Sequence, residues 1–191
     1  MRYDGEHKQR TRDAILAHAA QAIRAAGPDR IGVKDVMARA GLTQGGFYAH
    51  FASKEDLVAA AIETMFEGRR QMAIDAFDGR EPRAGLIAYV DSYLSDRHRR
   101  NPALGCPLPA LSADIARMPE EARETFAAGM ERLIAMLAEK LGAAGHDRAE
   151  PLARSILAEM IGALALSRAV TDDARAAAIL AASRESILAR L

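Results

Sequence analysis

Hydrophobic residues recur every three or four positions along the whole chain, the spacing of helices with one buried face. Ile15, Ala19 and Ile23 share such a face, which predicts a helix over residues 6–26, stopped by Gly27-Pro28. Residues 33–40 read as a short helix burying Val36 and Met37, ended by Gly41, a residue able to take the left-handed conformation that closes helices. Thr43 then reads as the N-cap of a very short helix over 44–51, with Phe47 and Phe51 turned inward. Ser53 caps the next helix, with Asp56 three residues on in a variant capping box. Leu57, Val58, Ala61, Ile62, Met65 and Phe66 carry its apolar face, and it is predicted to reach residue 77.

Longer helices follow. One is predicted over 82–100, and a short one with Leu111 and Ile115 follows the break at 101–109. Pro119 stands at a first helical position, with Phe126, Met130, Leu133, Leu137 and Leu141 on one stripe behind it. After a turn at 142–146, a helix over 148–169 shows Leu152, Ile156, Met160 and Leu164, and Thr171 caps a last helix with Asp172 and Asp173 in its first turn. The expectation is an all-α fold of about nine helices without strands. A three-helix helix-turn-helix head would occupy residues 1–52 and a larger helical body residues 53–191.

Composition agrees with helix: half of the 191 residues are hydrophobic, yet only 5% are aromatic, and there is no Trp. Net charge is zero, which does not advertise a nucleic-acid partner, although residues 1–60 hold nine Lys/Arg against seven Asp/Glu. The single cysteine, Cys106, excludes an intrachain disulfide and C-x-x-C patterns. No apolar run has transmembrane length and the N-terminus is polar, so the expected setting is cytoplasmic, without a membrane partner. Catalytic carboxylate pairs, a phosphate loop and clustered metal ligands do not stand out among the motifs. No enzyme activity, metal or cofactor is expected.

The informative block is 31–57. Two short helices joined by a tight turn at Gly41 make a helix-turn-helix, with Leu42 plugging the space between them. Thr43 can cap the second helix and reach a phosphate. Gly45 and Gly46 are poor helix formers and need a reason; lacking side chains, they let the backbone approach DNA closely. Tyr48 and His50 can hydrogen-bond phosphate oxygens, and Lys54 opens the following helix, where its ammonium and the N-terminal amides can clasp a phosphate. Gln44 suits adenine.

These residues resemble the TetR/AcrR family of transcriptional regulators. The resemblance rests on Thr11-Arg12 and Ile15, the block 36–43, Gly46-Phe47-Tyr48-Ala49-His50-Phe51 and Ser53-Lys54-Glu55-Asp56-Leu57, and covers about residues 8–60. Gly32 departs from it, standing where the family commonly has a Thr or Ser cap. The resemblance implies a DNA-binding head whose helix 44–51 enters the major groove. Thr43, Tyr48, His50 and Lys54 would hold phosphates, Gln44 and Lys34 would reach bases, and the stretch 10–12 would lie along the backbone. It also implies a body that binds a small effector and forms a homodimer on a pseudo-palindromic operator, as a ligand-released repressor; activation is the alternative mode of control.

In the body, Tyr89, Tyr93, Cys106, Met118, Phe126 and Met130 are candidate effector-pocket residues, or else ordinary core. Ile156, Met160, Ala163, Ile179, Ser183 and Ile187 are candidates for a dimer interface built from the last two helices. Cys106 lies in Gly105-Cys106-Pro107, an element through which some such regulators respond to electrophiles or oxidants; the other reading is an inert small hydrophobe. The basic run 97–100 is read as the C-terminal end of a helix rather than a second DNA patch. Rival readings are an all-α enzyme and a helical interaction module without DNA binding.

Overall fold

The computed structural model describes the backbone of residues 2–191 and the side chains of residues 5–191. Among the described residues the α-helices are α1 (Arg2–Ala26), α2 (Val33–Arg39), α3 (Lys54–Phe77), α4 (Pro82–Tyr93), α5 (Asp96–Arg100), α6 (Pro107–Leu111), α7 (Glu120–Ala143), α8 (Ala149–Ala169) and α9 (Asp173–Leu188). Three 3-10 turns intervene, at Gln44–Ala49, Pro102–Leu104 and Ile115–Arg117, and no strand is present among these residues.

Nine α-helices are found among the described residues, as expected, but not the same nine. The helix expected over 44–51 is a 3-10 turn over Gln44–Ala49, as befits a six-residue stretch with two glycines in it. The segment expected as one helix over 82–100 is two. Its chain breaks at Leu94, where Ser95 Oγ accepts from His98 N at 3.1 Å and starts α5 afresh. The short helix expected to hold both Leu111 and Ile115 ends at Leu111, with Ile115 in the separate 3-10 turn. Pro119 is the N-cap of α7 rather than its first helical residue. The last helix is capped by Asp172, whose carboxylate accepts from Arg175 N at 2.8 Å, and not by Thr171.

Packing proceeds helix against neighbouring helix. α1 lies on α3, α3 also on α4 and α7, α7 on α8, and α8 on α9. A continuous core results, running from Ile15 and Met37 in the head through Leu57 and Ile62 to Leu137, Leu164 and Ile187. The basic run 97–100 closes α5, as expected. Arg99 and Arg100 donate to Asp173 at 2.7 and 2.8 Å and to Asp96, tying α5 to the start of α9. Hydrogen bonds from Arg100 and Arg99 hold the Asp173 carboxyl below its ordinary pKa.

The contact of α3 with α7 depends on a missing side chain. Phe66 of α3 meets Phe126 edge-on at 5.7 Å, and its ring lies directly against Gly129 of α7. A Cβ at 129 would sit 2.3 Å from Phe66 Cδ2. Gly68, exposed on the outer side of α3, has nothing within 4 Å of such an atom. In urea denaturation, Gly129→Ala should therefore cost about 1–3 kcal/mol through overpacking. Gly68→Ala should gain up to about 1 kcal/mol from helix propensity. Equal effects of the two substitutions would contradict this packing.

Candidate nucleic-acid interface

The turn between α2 and the 3-10 segment is set by one residue. Gly41 takes φ +74, and two backbone bonds close α2 around it: Leu42 N to Met37 O at 2.9 Å and Gly41 N to Ala38 O at 3.0 Å. This pattern reverses the chain within two residues and needs the left-handed conformation that glycine adopts without strain. Gly32, at the N-cap of α2, makes no side-chain cap, as its lack of a side chain demands.

Across the turn, Thr43 occupies the N-cap position in extended backbone but makes no cap hydrogen bond. The 3-10 segment divides its side chains cleanly. Phe47 is buried and stacks on buried Phe51 at 5.6 Å, anchoring the segment to the head core. Tyr48, next to it, is 78% exposed, and Thr43, Gln44 and Gly45 are exposed beside it. Gly45 and Gly46 have no internal need to be glycine. A Cβ at 45 would meet nothing within 4 Å, and one at 46 only Met37 Cε at an ordinary 3.7 Å. Neither has a positive φ.

His50 is half-buried, with its Nδ1 turned inward and unpartnered. Burial first, then the nearby Lys8 and Arg12 charges, push its pKa below the ordinary histidine value. Arg12 also lies over the Phe51 ring, 4.7 Å from its centroid, so a positive flank borders the 3-10 segment. Lys34 is exposed on the first turn of α2. Lys54 is partly buried at the start of α3, and its Nζ donates to Asp29 O at 3.3 Å. Ser53 caps α3 by accepting from Asp56 N at 3.1 Å. The Asp56 carboxylate accepts from Ala52 N rather than Ser53 N, so the reciprocal bond of a capping box is shifted by one residue.

In the body, the six candidate pocket residues do not form one pocket. Tyr89, Tyr93 and Cys106 are buried in one place, with Tyr93 edge-on to His98 at 4.9 Å. Phe126 packs on Phe66, Met130 is partly buried against the core, and Met118 lines a crevice with Pro28 and Lys54 where head meets body. A cavity of about 480 Å³ lies instead between α3 and α7, lined among others by Phe66, Arg70, Phe77, Arg132, Leu133 and Met136, none of them a sequence candidate. Cys106 is fully buried, and its N–H donates to His98 Nε2 at 3.0 Å. The accessible thiol that the electrophile reading calls for is not what this conformation presents.

Four of the six dimer candidates are corrected as well. Ile156, Met160, Ala163 and Ile187 are buried within the single chain, where they hold α8 and α9 to the body; Ile179 and Ser183 are partly exposed. Sequence reasoning also passed over Arg69, buried in the body, and took His98, buried as well, only as part of the basic run 97–100. Arg69 had a visible signal: it stands at a core position of α3, four residues after Met65 and four before Ala73.

A head built on a two-helix turn, with one aromatic inside and its neighbour outside, and a helical body behind it define a helix-turn-helix regulator. The comparisons agree. The family model for bacterial regulatory proteins of the tetR family matches residues 15–61, and that for the C-terminal domain of LmrA/YxaF-like transcriptional regulators matches residues 82–181. The chain belongs to the TetR family of DNA-binding transcriptional regulators. It is 26% identical over 133 residues to the HTH-type transcriptional repressor NemR of Escherichia coli, covering 69% of this chain and 67% of that one. It is also 26% identical over 168 residues to an uncharacterized HTH-type transcriptional regulator in the lacX 3' region of Lactococcus lactis, covering 85% of each. Among solved structures, a TetR transcriptional regulator from Chloroflexus aurantiacus superposes with a TM-score of 0.82 at 25% identity, over 96% of this chain and 95% of that one. No described helix is long and apolar enough to cross a membrane, and no three His, Cys, Asp or Glu among the described residues are grouped to hold a metal.

The inward and outward faces of the 3-10 segment separate by stability alone. Phe47→Ala should cost about 3–5 kcal/mol in urea denaturation, and Tyr48→Ala less than about 0.5 kcal/mol. A large loss at Tyr48 would place that ring inside the fold.

Proposed function

We propose that this protein is a homodimeric repressor that binds a pseudo-palindromic operator and leaves it when a small effector occupies the body. The carrying observation is the outer face of the 3-10 segment. Tyr48 is left 78% exposed beside two glycines that nothing inside the molecule requires. Side chains kept short where the fold has room suit the close approach of another body, and the Lys8 and Arg12 charges near His50 suit a phosphate backbone. Tyr48, Thr43, His50 and Lys54 then hold phosphates, with Lys54 exchanging its long bond to Asp29 O for a charged one. Gln44 and Lys34 face the base edges. The resemblance to a repressor, NemR, favours repression over activation.

The homodimer reading rests on the outer faces of α8 and α9, where Leu166 is 61% exposed and Ala177, Ala178, Ala181 and Ala182 leave α9 low-walled for a second copy. A two-fold pair would present two heads about 34–36 Å apart, one turn of DNA. The domain boundary near residue 52 fits a head that moves with α3. That helix opens at Lys54 in the head and ends at Phe77 beside the body cavity, so an occupant that prefers one setting of α3 biases the head. The cytoplasm is the setting such a role requires.

Gel shifts on the promoter DNA of the protein's own gene test this reading. Tyr48→Ala and Lys54→Ala should weaken binding to all sequences, and Lys54→Ala should lower the salt slope by about one. Gln44→Ala should instead relax preference at one base position, at about 1–3 kcal/mol. Gly45→Ala should fold with undiminished stability and bind poorly. Wild-type affinity in Tyr48→Ala, Lys54→Ala and Gly45→Ala together would remove the 3-10 segment from the DNA.

A further inference from the structure

α3 carries an arginine where its apolar stripe calls for a hydrophobe. Arg69 is 3% exposed and shares a face with buried Met65, Phe66 and Ala73. Among the described residues its guanidinium forms no ion pair. One amino group donates to Met72 Sδ at 3.2 Å, and its Nε has no acceptor. The group lies over two rings instead, 5.1 Å from the Tyr93 centroid and 5.8 Å from that of Tyr89. The hydroxyls of both tyrosines are buried without a hydrogen bond of ordinary length, that of Tyr89 lying near the Arg69 guanidinium and that of Tyr93 near the Cys106 thiol. Burial pushes both phenols above their ordinary pKa, so they stay neutral donors and supply no counter-charge.

The surroundings are mostly basic, with the Cys106 thiol among them. Arg24 and His98 both feel the Arg69 cation, and His98 that of Arg168 too. Arg24 is satisfied by Ala103 O at 2.6 Å, and Arg168 by His98 O at 2.8 Å and Arg99 O at 3.2 Å. His98 is committed on both nitrogens, Nδ1 donating to Tyr93 O at 2.7 Å and Nε2 accepting from Cys106 N. Burial, then Arg69, hold its pKa down to about 4, so it is neutral at pH 7. Arg69 keeps a full charge in the interior with a thioether, two ring faces and the nearby neutral Tyr89 hydroxyl around it, and no anion paired to it among the described residues. A charge buried in this way is expensive, and ring faces offset only part of the cost.

The cluster has a way in. A groove of about 360 Å³ is lined by Met72, Ser92, Ser95, Arg97, His98 and Leu104 among others. Met72, the group that covers the guanidinium, is itself 46% exposed, and Leu104 is 62% exposed. Methionine is unbranched and repacks readily, so a turn of Met72 opens Arg69 to the groove.

We propose that the effector is a small organic carboxylate, whose carboxylate takes the unpartnered donors of Arg69, Tyr89 and Tyr93 and whose apolar body lies in the groove between Met72 and Leu104. This rests on the reading of the protein as an effector-responsive repressor. A carboxylate offers two oxygens and about four lone-pair sites, enough for one guanidinium edge and two hydroxyls. It also supplies the negative charge that the fold withholds.

Calorimetry on the full chain tests this with benzoate, cinnamate and octanoate, each against its neutral amide of the same shape. At least one acid should bind about 30-fold or more tightly than its amide, the effect of a desolvated charge pair. Arg69→Met should abolish that preference while melting at a higher temperature than wild type without ligand, because it removes an uncompensated charge. Tyr93→Phe should fold normally and bind the same acid several-fold more weakly. Failure of all three acids to bind wild type at millimolar concentration, equal binding of acids and amides, or retained preference in Arg69→Met would each overturn the proposal. Phenyl phosphate binding more tightly than any of the acids through Arg69 would overturn the carboxylate in favour of a phosphate. The bound acid should also lower operator affinity in a gel shift; binding without that effect would mean the site takes an anion that is no effector. Loss of operator binding by the ligand-free wild type would strike the repressor reading instead, leaving carboxylate binding to be read separately.

Discussion

The unbroken hydrogen-bond ladder of α3 is the constraint that the rest of the molecule answers to. Twenty-four residues of helix span about 36 Å, and this one is in contact with α1 at one end and with α4 and α7 further along. Its first residue belongs to the candidate DNA surface, while its middle holds the buried arginine and its last turn borders the α3–α7 cavity. A rigid element shared in this way turns a small displacement at one end into a displacement at the other. That is the simplest physical basis for a helical body to inform a helix-turn-helix head.

The second tie between head and body is shorter. Arg24, near the end of α1, donates to Ala103 O, just ahead of the loop that carries Cys106. Head and body meet along α3 and where α1 packs on the 3-10 turn at Pro102–Leu104 and on α6, the Arg24 bond among these contacts, with the small crevice at Met118 beside Pro28 and Lys54. Charge around the head is local rather than global. A chain with zero net charge still sets Lys8 and Arg12 close to His50 at the end of the 3-10 segment, which is why bulk composition says little about its partner.

Legibility in the sequence followed the range of the physics. Helix faces and the Gly41 turn depend on residues a few positions apart, and they were readable as such. The Thr43–Lys54 block could be read because inward Phe47 and outward Tyr48 are adjacent in sequence. Caps were harder. Thr171 and Asp172 are both good cap residues, and only the backbone decides between them. Ser95-Asp96 was an overlooked start signal inside a segment whose periodicity ran on regardless. The body sites failed for another reason. Which face of α8 turns to α7 rather than outward, and whether Tyr89 meets Phe126 or Arg69, depends on contacts between residues far apart in the chain. Arg69 itself is legible as an anomaly of register, a charge where the apolar stripe of α3 calls for a hydrophobe.

The Phe66–Gly129 contact bears on how this chain can diverge over time. A ring pressed onto bare backbone makes two positions, 63 residues apart, dependent on each other. Shrinking residue 66 first leaves a void that a later Cβ at 129 can fill, so that order passes through an underpacked but foldable intermediate. Enlarging 129 first drives an atom into the ring. Drift at this helix crossing therefore favours one order, the ring shrinking before the glycine is lost.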